Sequence, residues 1–110
     1  MTFSPLTKIS PSKIENLLCL NEKIKQSFVY GDKKTYLVAL IVSESTENRK
    51  EIEIFLENIN KTLSLVEKVK KFKLIEEEFS IENGMLTPTL KLKRYKIINK
   101  YKNNFEKLYN

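Results

Sequence analysis

The chain has 110 residues, 41% apolar and 31% charged, with 20 bases against 14 acids and a formal net charge of +6. That length and mix suit one globular domain with a core of its own and exclude a disordered tail. One cysteine and no histidine exclude a zinc site built by this chain alone, a histidine-based catalytic triad and an internal disulfide.

In chain order, MTFSPLTK at the start lacks the apolar run of a signal peptide. A first helix is expected from Ser10, with Ser10 as cap, Pro11 at the first helical position and Ser12-Lys13-Ile14-Glu15 as a capping box. Ile14, Leu17 and Leu18 share one face, Asn21 can end the helix, and Cys19 is expected as a small buried residue. IKQSFVY (24–30) and TYLVALIVS (35–43) read as a hairpin around Gly31-Asp32-Lys33-Lys34, the second strand apolar enough to be covered on both faces. From 46 to 63 the period turns helical. Ile52, Phe55, Leu56, Ile59 and Leu63 form the stripe expected to be buried, and Glu47, Arg49, Lys50, Glu53, Glu57 and Lys61 form the solvated side. A short helix or turn is expected over 64–68. KKFKLIE (70–76) reads as a third strand, and FSIENGMLTPT (79–89) as a loop punctuated by Asn83-Gly84 and Pro88. A last helix over 91–109 carries Ile97, Tyr101, Phe105 and Leu108 on its apolar side. The fold class is therefore α+β: about three strands, a hairpin plus a third strand, flanked by helices in the order α-β-β-α-β-α, in one domain spanning 1–110.

The charge is unevenly placed. Residues 1–86 hold 13 bases and 13 acids, whereas Lys91, Lys93, Arg94, Lys96, Lys100, Lys102 and Lys107 face only Glu106 after that. Such a cluster is either the solvated side of a terminal helix or a patch that meets phosphates. The pattern Thr87-Pro88-Thr89-Leu90-Lys91 places a lysine where the loop should meet the helix N-terminus, whose unpaired N–H groups can face an anion.

ENGMLTPTLKLKR (82–94) resembles the C-terminal signature of long-chain fatty acyl-CoA synthetases, members of the AMP-binding, adenylate-forming superfamily. ISPSKIENLLC (9–19), VYGDKKTYLVALIV (29–42) and VEKVKKFKLIEEEFSIENG (66–84) are similar to upstream segments of the same family, in the family's order. The resemblance implies a C-terminal lid domain working with a large N-terminal adenylation domain, in cis or in trans. Leu90-Lys91-Leu92-Lys93-Arg94 falls on the superfamily's Gly-Lys-Ile-x-Arg, so the adenylation lysine maps to Lys91, with Thr87, Thr89, Lys93 and Arg94 as companion substrate- or cofactor-binding candidates. It further implies ATP, Mg2+ and coenzyme A for the complete ligase, none of them bound by this chain alone. The expected compartment is the cytoplasm, with room for a peripheral membrane association of the complete enzyme, and no stretch here is long and apolar enough to span a bilayer.

The chain also departs from the family pattern. Pro5-Leu6-Thr7-Lys8 stands where a Gly-Gly segment and hinge are usual, which leaves the coenzyme A tunnel loop in question. The segment between the second strand and the long helix is shorter than in typical members. The Ser/Thr/Gly-rich phosphate loop and the fatty-acid tunnel belong to the large domain, and two glycines cannot supply such a loop here. A non-catalytic remnant or binding module with the same fold is the alternative function. A nucleic-acid role is disfavoured because Tyr101, Phe105 and Tyr109 lie on the apolar stripe and not among the bases.

Overall fold

The strand Leu37–Val42 organises the domain, because all six of its residues are buried. The computed structural model describes residues 11–31, 36–64 and 67–109. Its elements are α1 (Pro11–Leu18), β1 (Gln26–Tyr30), β2 (Leu37–Val42), a short 3-10 turn (Thr46–Asn48) leading into α2 (Arg49–Asn60), β3 (Val69–Ile75), α3 (Arg94–Lys100) and α4 (Lys102–Leu108). The sheet order is β1-β2-β3. β1 runs antiparallel to β2, with Gln26 opposite Val42 and Tyr30 opposite Val38. β3 runs parallel to β2, as a strand returning through a crossover helix must.

The alternating side chains of β2 feed two cores. Leu37, Ala39 and Ile41 pack with Ile14 and Leu18 of α1, Ile52 and Leu56 of α2, and Val69, Phe72 and Leu74 of β3. Val38, Leu40 and Val42 pack with Phe28, Phe79, Met85, Leu86, Ile97, Tyr101 and Phe105 on the opposite face. The α+β class and the order α-β-β-α-β-α therefore hold, with helices on both faces of the sheet.

Several details differ from the sequence reading, each for a local reason. β3 does not alternate cleanly. Leu37 pairs with Val69 but Val38 with Lys71, so Lys70 is an extra residue and Val69 and Phe72 come to share a face. Asn60 secures the start of this strand: its Nδ2 donates to the Val69 carbonyl (2.9 Å) and its Oδ1 accepts from the Val69 N–H (3.0 Å). On α2 only Ile52 and Leu56 are fully buried, while Phe55 and Ile59 are half-buried at the margin of the stripe. Cys19 lies just beyond the end of α1 and is exposed, its Sγ 3.5 Å from the Ser27 hydroxyl. The last helix is two helices. Tyr101 leaves helical geometry (φ −104°, ψ 20°) between α3 and α4, and each half buries its own residue, Ile97 and Phe105, against the sheet. The cap expected at Ser10 and most of the hairpin link lie outside the described residues. Gly31 stands at the start of that link, where an added Cβ would come within 2.4 Å of the Leu37 side chain and 3.1 Å of the Tyr36 carbonyl, so a larger residue would force a local shift.

Candidate anion-facing hairpin

The segment between β3 and α3 is fastened to the sheet before it reaches Lys91. Gln26 of β1 holds Phe79 at both backbone groups, donating from Nε2 to its carbonyl (3.0 Å) and accepting its N–H at Oε1 (2.7 Å). A tight turn follows, in which Gly84 adopts φ 80° and the Asn83 Oδ1 accepts the N–H groups of Ser80 and Met85. Glycine suits that left-handed position because it has no Cβ to clash. Met85 and Leu86 then plug into the second core.

Residues 86–92 form a miniature hairpin. Leu86 pairs with Leu92 in an isolated antiparallel bridge, and the Lys93 N–H donates to the Met85 carbonyl at 2.7 Å. At the tip, the Leu90 N–H donates to the Thr87 carbonyl and the Thr87 N–H donates to the Lys91 carbonyl, both at 2.8 Å. This is a three-residue loop, Pro88-Thr89-Leu90, whose final residue must be left-handed to restore the pairing. Leu90 indeed has φ 65°, a conformation that costs a non-glycine residue roughly 1–2 kcal/mol. The sequence signal for it was the motif itself, since position 90 aligns with the glycine of Gly-Lys-Ile-x-Arg.

Lys91 emerges on the return arm of this hairpin. It is exposed, and its Nζ has no partner among the described residues. It does not open the last helix as the sequence suggested: α3 begins at Arg94, three residues later. The Thr87 hydroxyl accepts the Lys91 backbone N–H (3.0 Å) and is 3.0 Å from the Thr89 hydroxyl, so both threonine side chains are turned into the loop. Lys93 is half-buried at the hairpin's base.

Arg94 faces the other way. Its two terminal nitrogens donate to the Glu15 carboxylate at 2.8 and 2.7 Å, and its guanidinium lies 5.3 Å from the Phe28 ring centre. Glu15 is buried and also accepts the Val29 N–H at 2.8 Å. A bidentate, charge-assisted pair thus ties the base of the hairpin to α1 and β1. Nothing in the sequence marked Glu15 beyond its place in a capping box, because its partner is 79 residues away.

The remaining C-terminal bases are dispersed. Lys96, Lys102 and Lys107 are exposed, whereas Lys100 is paired with Glu77, which also accepts from the Tyr101 hydroxyl at 3.0 Å. The Lys100 and Tyr101 hydrogen bonds hold the Glu77 carboxyl below its usual range, and burial, reinforced by Glu77, pushes the Tyr101 phenol up to about 12. Tyr109 donates to the carbonyls of Tyr36 (2.7 Å) and Tyr30 (3.2 Å), and burial raises its phenol further. Among the described residues there is no group of three or more His, Cys, Asp or Glu suited to a metal ion, and no helix long and apolar enough to cross a membrane.

The family model described as the AMP-binding enzyme C-terminal domain matches residues 1–110. The chain is 31% identical to human long-chain-fatty-acid–CoA ligase 1, over 92% of this chain and 18% of that protein. It is 28% identical to long-chain-fatty-acid–CoA ligase FadD15 of Mycobacterium tuberculosis, over 93% of this chain and 21% of that protein. It therefore spans about a fifth of the length of these relatives. The human alignment runs over 126 residues, so that relative carries residues here that the 110-residue chain lacks. Among solved structures, the adenylation domain of a carboxylate reductase from Mycobacterium chelonae superposes with a TM-score of 0.80 at 26% identity, covering 92% of this chain and 18% of that one. The A-PCP didomain of the carboxylic acid reductase from Segniliparus rugosus, in complex with AMP, gives 0.79 at 26% identity, over 92% of this chain and 16% of that one.

Proposed function

The chain belongs to the AMP-binding enzyme C-terminal domain family, and on that footing we propose that it is the lid of a long-chain fatty acid–CoA ligase, supplying Lys91 to the adenylation step. The observation that carries this reading is the presentation of Lys91: an exposed ammonium with no partner among the described residues, on a hairpin fixed at its tip by Thr87 and at its base by the Arg94–Glu15 pair. In adenylation a fatty-acid carboxylate attacks the α-phosphate of ATP, forming acyl-adenylate and releasing pyrophosphate. Two anions must approach each other. A lysine ammonium between them offsets their repulsion, most strongly where the closed lid excludes water.

The residues present at the hairpin suit this role. The large N-terminal domain, joined in cis or in trans, would hold ATP with its Mg2+ and the acyl chain. Lys93 adds positive charge behind Lys91, and the two threonines shape the loop. Arg94 serves at the hairpin's base. Thioester formation with coenzyme A would use another face of the lid after it rotates.

The test is Lys91→Ala in the domain joined to its large domain. Acyl-adenylate formation should fall by about 100- to 1,000-fold, the loss seen when one preorganised charge-stabilising donor is removed. Conversion of pre-made acyl-adenylate to the thioester should keep its rate. Equal slowing of both half-reactions would refute the assignment, as would a non-catalytic domain that leaves the large domain's rate unchanged when withdrawn.

A further inference from the structure

We propose that Thr87 is the positioning residue of the adenylation lysine, an inference that rests on the role assigned above to Lys91. Each polar group of Thr87 is engaged within this loop. Its N–H donates to the Lys91 carbonyl (2.8 Å), its carbonyl accepts from the Leu90 N–H (2.8 Å), and its hydroxyl accepts from the Lys91 N–H (3.0 Å). The lysine's own N–H and carbonyl are thus both bonded to a single residue, four positions earlier. Because the Thr87 hydroxyl is also within 3.0 Å of the Thr89 hydroxyl, its rotamer is held from two sides. The hydroxyl therefore acts on the backbone that carries the ammonium.

The backbone pairing alone would close the hairpin. What the hydroxyl adds is torsional definition at residues 90 and 91, where Leu90 sits at φ 65° without glycine's natural tolerance. If the side-chain bond is lost, Leu90 can relax toward negative φ, and the Lys91 stem swings with it. A reacting group displaced by about 1 Å can lose about a hundredfold in rate.

The experiment compares half-reactions in the domain joined to its large domain. Thr87→Val removes the acceptor at nearly constant shape, and Thr87→Ala removes it without branched carbons should Val disturb the turn. Either should lower kcat for acyl-adenylate formation by about ten- to a hundredfold with the KM values for ATP and fatty acid little changed, the split expected when only transition-state positioning is lost. The thioester half-reaction should be untouched. Thr87→Ser keeps the acceptor and should restore the rate. The double variant Thr87→Val/Lys91→Ala should be no slower than Lys91→Ala alone, because a residue that acts through another has nothing further to lose. Full adenylation rate in Thr87→Val beside a crippled Lys91→Ala would overturn the proposal by itself. So would an additive double variant, or a Ser variant as slow as Val. Full rate in Lys91→Ala would overturn the lid reading and this inference together.

Discussion

Truncating Arg94 to alanine should destabilise the domain by about 2–3 kcal/mol. Glu15 is the reason. Its carboxylate side chain is 8% exposed and accepts two bonds from Arg94 at 2.7 and 2.8 Å, with only the Val29 N–H left among the described residues if the guanidinium is removed. Removing one partner of a fully buried pair costs about 3–5 kcal/mol. Arg94 is 36% exposed, so water can reach the vacated side and lower that figure. The Arg94 stem and its contact with the Phe28 ring add a smaller packing loss. Urea unfolding followed by far-ultraviolet circular dichroism gives the difference directly, and a drop of about 4–8 °C in Tm per kcal/mol should accompany it. The decisive measurement is a double-mutant cycle with Glu15→Gln, where the coupling energy should be about 1–2 kcal/mol. A coupling of about 0.5 kcal/mol or less, the value of a pair in open water, would refute the claim that this contact anchors the hairpin.

Other outcomes follow from the same geometry. Ile52→Ala should cost about 2–5 kcal/mol by leaving a cavity in the first core, and the half-buried Phe55 should cost clearly less when truncated, which equilibrium unfolding can rank. In alkali the folded Tyr101 phenol ionises near 12 against an unfolded value of 10. Its stabilising contribution is therefore complete below pH 10 and lost as pH rises toward 12, with Tyr109 acting in the same direction. Ultraviolet titration should show these two phenols ionising last, and Tyr101→Phe should flatten the alkaline fall in stability. The pure 110-residue chain should release no pyrophosphate from ATP with fatty acid, because the lysine alone holds no reactants in place.

The elements were legible in the sequence wherever periodicity spoke for itself. The apolar run of β2, the alternation within Phe72-Lys73-Leu74 and the stripe through Ile52 and Leu56 each signalled the observed face. What escaped were features that depend on distant or nonlocal partners. Glu15 reads as a capping acid until α3 brings Arg94 against it. Tyr101 reads as one more turn of a helix, because nothing local in the sequence marks the break. Phe55 and Ile59 fall on the stripe by spacing, yet both are left half-buried. The motif pointed to Lys91, and by aligning Leu90 with a glycine it carried the one hint of the left-handed turn, which the leucine itself does not announce.

The connectivity of the two cores bears on the order in which they can form. Most of the first core is assembled from residues 14–74, through a local hairpin and one helical crossover. The second waits for residues 79–105 to return across the sheet, and the Glu15–Arg94 bond must close a separation of 79 residues. Contacts close in sequence form readily, whereas distant ones carry the entropy of a long closed loop. The layer bearing Lys91 should thus be the later one to close. Pulsed hydrogen exchange during refolding should therefore protect the amides of β2 before those of residues 79–105.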